Sequence, residues 1–133
     1  MATTQGKVQI GAIVPILTVD DLQKSIAFYE ALGFAIDERW EEEGTLLGVM
    51  VRAGTIQIGL NQDDWKKGRD RQKGIGVRLS ISTPGSVDEI ATRMKNAGIT
   101  LKSEPHDTEW KSRAFEVSDP SGFLLTIFSE ASA

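Results

Sequence analysis

One histidine and no cysteine leave this chain few routes to acid–base or nucleophilic chemistry. The absent thiols exclude disulfides, thiolate nucleophiles and Cys-ligated zinc or iron–sulfur centres. His106 lies in Ser103-Glu-Pro-His-Asp-Thr-Glu-Trp110, read as a polar turn; it is either an exposed loop histidine or a ligand contact or general base. No G-x-S-x-G turn presents a serine nucleophile. No Gly-rich phosphate loop is present either, Gly74-Ile-Gly76 reading as a strand entry. Three tryptophans remain: Trp40, Trp65 and Trp110. Such rings form flat apolar walls against which planar organic ligands stack. The competing account is core or interface packing for Trp40 and Trp110. For Trp65 it is a choice between a lid over a ligand and a pin for its own segment, because a large ring among charges needs cover.

The composition sets wider limits. A chain of 133 residues and 14.5 kDa, 40% hydrophobic and 26% charged, fits one globular domain better than two. Fifteen basic against 19 acidic residues give a net charge of −4, which argues against nucleic-acid or anionic-membrane binding. No apolar run approaches the roughly 20 residues of a membrane span. The opening Met-Ala-Thr-Thr-Gln-Gly-Lys lacks the apolar segment of a signal peptide, so a cytoplasmic protein is expected.

The elements that must hold these side chains come in a repeated order. Val8–Thr18 reads as a strand, and Asp20 with Gln23 has capping-box spacing. Leu22, Ile26, Tyr29 and either Phe28 or Leu32 form a helical stripe closed by Gly33. Strands are predicted over 34–41, 45–53 and 55–60, the acidic Glu41-Glu42-Glu43 forming a solvated hairpin tip. Residues 61–74 have no period and alternate in charge, so they read as a linker. A strand over 76–82 follows, with Val77, Leu79 and Ile81 on one face. Ser86-Val-Asp-Glu89 is a capping box opening a helix over 87–97, with Val87, Ile90, Met94 and Ala97 inward and Gly98 beyond. Strands over 99–104, 111–118 and 123–129 complete the set. Asp119-Pro-Ser-Gly122 has the residue order of a type I turn, which puts Leu124, Thr126 and Phe128 on one face of the last strand and Phe123, Leu125 and Ile127 on the other. Strand–helix–three strands thus occurs twice, an internal repeat of roughly 60 residues.

With the repeat in place, particular residues carry a family resemblance. Val14-Pro-Ile-Leu-Thr-Val-Asp-Asp-Leu, followed by Phe28-Tyr and Leu32-Gly-Phe34, resembles the opening of a vicinal-oxygen-chelate module, the glyoxalase/bleomycin-resistance/dioxygenase superfamily. Trp110 and Asp119-Pro-Ser-Gly122 resemble the close of the second module. The resemblance implies an α+β fold: one domain over 1–133, with module 1 at about 8–60, a linker at 61–74 and module 2 at about 75–130. Each βαβββ module would contribute a curved mixed sheet to a cleft, helices outside. Leu17, Val19, Ile56, Ile58, Leu60, Val77, Leu79 and Ile81 would then pack under the helices. A homodimer is expected, the partner chain completing the cleft.

Metal-dependent members of the superfamily hold a divalent ion through His, Glu or Gln on these strands. The matching positions here are Val14, Gln57, Arg78 and Thr126. Valine has no lone pair, arginine repels a cation and a threonine hydroxyl is a weak ligand. No metal and no cofactor is therefore expected. Arg78 would share its face with Ser80 and stand opposite Thr126 and Gln57, either as a fork for a ligand carboxylate, phosphate or carbonyl or paired internally with Glu38 or Glu116. Lys111 stands where the family has a glycine. The expectation is a metal-free protein binding a small, partly aromatic organic molecule, such as an antibiotic, through Arg78, Thr126, Gln57, Trp40, Trp65, Trp110 and Phe128. The alternative is a lyase, isomerase or dioxygenase whose metal is moved or lost, with Glu38, Glu116 or His106 as its acid–base group.

Overall fold

Both helices start where a short polar side chain can accept from a free backbone N–H. A computed structural model describes residues 8–130; the polar residues 1–7, where no signal peptide is expected, lie outside it. Helix α1 spans Leu22–Leu32, and its N-cap is Asp21, whose carboxylate accepts from the Lys24 N–H. Asp20, the predicted cap, is instead drawn away to residues of module 2 and the linker. Its N–H donates to Ser121 Oγ at 2.9 Å and its carboxylate meets Lys73. Helix α2 spans Val87–Asn96 with Ser86 as N-cap, accepting from the Glu89 N–H at 3.1 Å. Its buried residues are Val87, Ala91 and Met94. Ala97, predicted inward, is exposed beyond the last turn.

The strands form two four-stranded mixed sheets. Sheet A has the order β1-β4-β3-β2, built from β1 (Ile16–Val19), β2 (Ala35–Glu42), β3 (Thr45–Ala53) and β4 (Ile56–Gln62). Sheet B has the order β5-β8-β7-β6, built from β5 (Arg78–Thr83), β6 (Ser103–Asp107), β7 (Arg113–Ser118) and β8 (Leu124–Ser129). β1 runs parallel to β4, and β5 runs parallel to β8. Each parallel pair brackets a helix, as a crossover connection requires. The α+β class and the twice-repeated βαβββ order are as the sequence leads one to expect.

Alternation sorts each strand into a helix face and an open face. Leu17, Val19, Val49, Val51, Ile58 and Leu60 are buried under α1; Phe115, Val117, Leu125 and Ile127 are buried on the helix side of sheet B. All belong to one continuous core with Tyr29, Phe34 and Met94. Ile56 and Val77 depart from expectation, being 40% and 48% exposed. Ile56 begins its strand beside the Gly54-Thr55 hairpin turn, and Val77 precedes β5. The predicted strand over 8–18 shrinks to Ile16–Val19, the part of it that has ladder partners among the described residues.

Besides the Asp20–Ser121 bond, further contacts join the modules and the linker. Tyr29 of α1 donates its hydroxyl to Asp119 Oδ2 at 2.9 Å, in the turn before β8. Asp119 Oδ1 meanwhile accepts from the N–H groups of Ser121 and Phe123. Burial drives the Asp119 carboxyl above its usual range despite these donors. Burial, with the adjacent Asp119 charge, raises the Tyr29 phenol. Arg93 of α2 donates to the carbonyls of Ala31 and Glu30 at 2.9 and 3.1 Å, placing its positive charge at the negative end of α1. Gly74, with φ +78, passes so close to the turn that a Cβ there would lie 2.5 Å from the Gly122 carbonyl oxygen. The Gly74-Ile-Gly76 strand entry is thus also a point of close backbone approach.

Candidate functional site

Register partners on neighbouring strands share a face, so the pairings lay out the open face row by row. Across sheet B, Ser80, Thr126, Glu116 and Ser103 stand side by side on β5, β8, β7 and β6. The next row in the same sense holds Ser82, Phe128, Ala114 and His106. His106 therefore belongs to a strand rather than a turn. Its exposed ring donates Nδ1–H to the Glu104 carbonyl at 2.8 Å, which leaves Nε2 as the acceptor.

Arg78 pairs with Glu116, Nη2 to Oε2, at 3.5 Å. The two are on β5 and β7, so the contact crosses over β8, the strand of Thr126. Thr126 Oγ1 is buried and makes no hydrogen bond. Gln57 is also engaged: it donates Nε2 to Asp37 Oδ2 at 3.0 Å, an oxygen that Arg52 approaches at 3.1 Å. A bulge between Ile36 and Glu38 releases Asp37 from the ladder at this place. Arg78 and Gln57 both line a cavity of about 230 Å³ between the sheets, with Ser80 and the apolar Ile13, Pro15, Ile56 and Ile81.

Across sheet A the equivalent row is Thr18, Asn61, Gly48 and Trp40 on β1, β4, β3 and β2. Gly48 is the low point of this row. A Cβ there would lie 2.6 Å from Asn61 Oδ1 and 3.3 Å from Trp40 Cε3. The ring of Trp40 thus settles over a residue without a side chain, and 44% of the residue stays exposed. Trp40, Phe128, Thr126, Arg78 and Gln57 are all brought to the open faces.

Trp65 and Trp110 are elsewhere. Trp65 is held beneath two cations, Lys73 Nζ at 4.8 Å and Arg69 at 5.1 Å from its ring, a favourable cation–π arrangement. Lys73 also bridges Asp63, at 2.9 Å, and Asp20. Asp63 accepts from the Trp65 N–H and from Arg71. The Lys73 hydrogen bond and the Trp65 N–H hold the Asp63 carboxyl below its usual range. Burial opposes the Lys73 charge, but its two carboxylate partners outweigh burial and hold it above the usual ammonium range. These contacts hold Trp65 against its own linker. Asn61 and Gln62, read as linker, extend β4, where Gln62 bonds the Leu22 N–H and the Asp20 carbonyl. Trp110, 72% exposed, sits on the turn between β6 and β7. The next residue, Lys111, has φ +61, a left-handed conformation that explains a preference for glycine there.

Gly48, Asn61 and Thr18 receive no prominence from the sequence motifs. An isolated glycine inside the strand pattern Thr45–Ala53 was the available signal, because it marks close approach by another group.

The match to known proteins agrees with this architecture. The chain belongs to the Glyoxalase/Bleomycin resistance protein/Dioxygenase superfamily, whose family model matches residues 9–127. It is similar to the structure of a member of that superfamily from Sphaerobacter thermophilus, with 25% identity, a TM-score of 0.70, and 91% of this chain and 98% of that one covered. TioX from Micromonospora sp. ML1 has the same fold at 19% identity and TM-score 0.73, over 90% of this chain and 98% of that one. So does the hypothetical protein SA1046 from S. aureus, at 22% identity and TM-score 0.72, over 93% and 97%. No curated protein matches the chain.

The divalent metal that the family resemblance implies does not suit the residues at its positions. Val14 offers no donor atom, the Arg78 guanidinium carries a positive charge, and Gln57 is hydrogen-bonded to Asp37. Among the described residues no three His, Cys, Asp or Glu side chains cluster as a metal site.

Proposed function

We propose that this chain binds a small, partly aromatic organic molecule, such as an antibiotic, on its open sheet faces without a divalent metal. A second copy would complete the cleft. The observation that carries this reading is the state of the family's ligand positions. Arg78 is paired with Glu116 and Gln57 with Asp37, so neither is poised for a cation. What they leave is a mostly apolar cavity with a few polar anchors, the usual make-up of an organic-ligand pocket. Arg78 has five N–H donors, and its ion pair with Glu116 at 3.5 Å leaves donors for a ligand acceptor. Trp40 and Phe128 supply apolar walls on the two sheets. Equilibrium dialysis against Zn²⁺, Mn²⁺ and Ni²⁺ tests the metal-free part: no stoichiometric uptake is expected. One ion per chain, lost in Arg78→Gln or Gln57→Ala, would overturn it.

A further inference from the structure

A polar cavity adjoins the Trp40 row. It is about 390 Å³ and is lined by Thr18, Asn61, Gln62, Asp63, Asp64, Lys66, Lys67 and Arg71. Asn61 belongs to both places: its Oδ1 packs on Gly48 beside the Trp40 ring, and its side chain lines the cavity. Three cationic side chains of the wall, Lys66, Lys67 and Arg71, face two carboxylates, Asp63 and the exposed Asp64. Among the described residues neither the Asn61 amide nor the Thr18 hydroxyl makes a hydrogen bond, and Lys67 makes no ion pair; Lys66 reaches Asp64 only at 3.9 Å. Asp63, the most buried acid of the wall, is already neutralised by Lys73 and Arg71. The wall is also anchored, since Arg69 and Lys73 both lie against the Trp65 ring.

We infer that this cavity is the oxyanion end of the ligand site, so that the bound molecule is a planar aromatic carrying a carboxylate, sulfonate or phosphate. The ligand ring stacks on the exposed face of Trp40, whose own ring sits low because Gly48 has no side chain. The oxyanion points past Asn61 and Thr18 to Lys67 and Lys66. Charge-assisted hydrogen bonds from these donors supply the orientation, and ring stacking supplies the apolar part. This rests on the proposed ligand-binding function and assigns its charged group to the linker cavity instead of to Arg78.

Calorimetric titration with 1-naphthoate and its neutral isostere 1-naphthamide tests it. The wild-type chain should bind naphthoate at least about tenfold more tightly, a difference of ~1.4 kcal/mol. Lys67→Glu should abolish that preference while retaining naphthamide binding. Trp40→Ala should weaken both probes, and Arg78→Gln should leave their ratio unchanged. Equal affinity for the two probes in the wild type overturns the inference and leaves the binding function standing. So does a preference erased by Arg78→Gln but not by Lys67→Glu. Binding of neither probe at millimolar concentration overturns both.

Discussion

Asp119 shows how one side chain can serve the turn and the union of modules at once. Its two oxygens divide the work: Oδ1 takes the N–H groups of the turn, and Oδ2 takes only the Tyr29 hydroxyl. Removing that hydroxyl leaves a buried carboxylate oxygen without a donor, which costs more than the bond itself is worth. Tyr29→Phe keeps the ring contacts with Phe28 and Phe34, so its effect isolates the hydroxyl. Urea denaturation should show a loss of about 1–3 kcal/mol. A loss below the error of the extrapolation would mean that water replaces the phenol. The Asp-Pro-Ser-Gly turn was legible in the sequence, and its partner 90 residues away was not. Tyr29 reads as one more apolar position of a helical stripe, and nothing in its spacing reveals where its hydroxyl goes.

At the scale of elements, what could be read was what local chemistry determines. Ser86 with Glu89 marks α2, Gly33 ends α1, and alternation separates Leu125 and Ile127 from Thr126 and Phe128. The misreadings occur where long-range partners decide. Residues 8–15 have a strand's composition, yet Val8, Ile10 and Ile13 stay 76%, 83% and 89% exposed, and among the described residues no strand pairs with them. The polar run holding His106 becomes β6 because β7 offers it a ladder. Asp20 loses the cap to Asp21 because Lys73 and Ser121 claim it. Of the site, Trp40, Arg78 and Thr126 were legible as residues, but the Arg78–Glu116 pair and the Asn61–Gly48 contact depend on registers that spacing does not give. Where local chemistry does rule, the consequence is measurable. α2 has ten residues, too short to be stable in isolation, so its cap matters. Ser86→Ala should lower global stability by about 1 kcal/mol, while Ser86→Asp should retain it. Equal losses in both variants would show that the hydroxyl is not acting as an acceptor.

For the whole molecule, the clamp ties the linker to the end of β4 and the start of α1 through charge, and charge makes that tie depend on pH. Asp63 is held below its usual range in the folded chain, chiefly by Lys73. The unfolded chain therefore takes up this proton at higher pH, near the ordinary value of about 3.9. Between that value and the folded one the unfolded state binds more protons, so stability rises with pH and is lost on acidification. Asp88, lowered by its bidentate contact with Arg113, acts in the same direction. Asp119 acts in the opposite one, because its folded value is raised: its contribution is greatest below the unfolded value and falls as pH rises. The two signs can be separated by substitution. Denaturation midpoints measured from pH 6 to pH 2.5 should fall below about pH 4 in the native sequence. Asp63→Asn should be less stable at pH 6 and should show a shallower decline, because the group that titrates is gone. Asp119→Asn should steepen the decline instead. If Asp63→Asn declined as steeply as the native chain, the clamp around Trp65 would not be the charged structure that fixes the linker, and the wall of the proposed oxyanion cavity would lose its anchor with it.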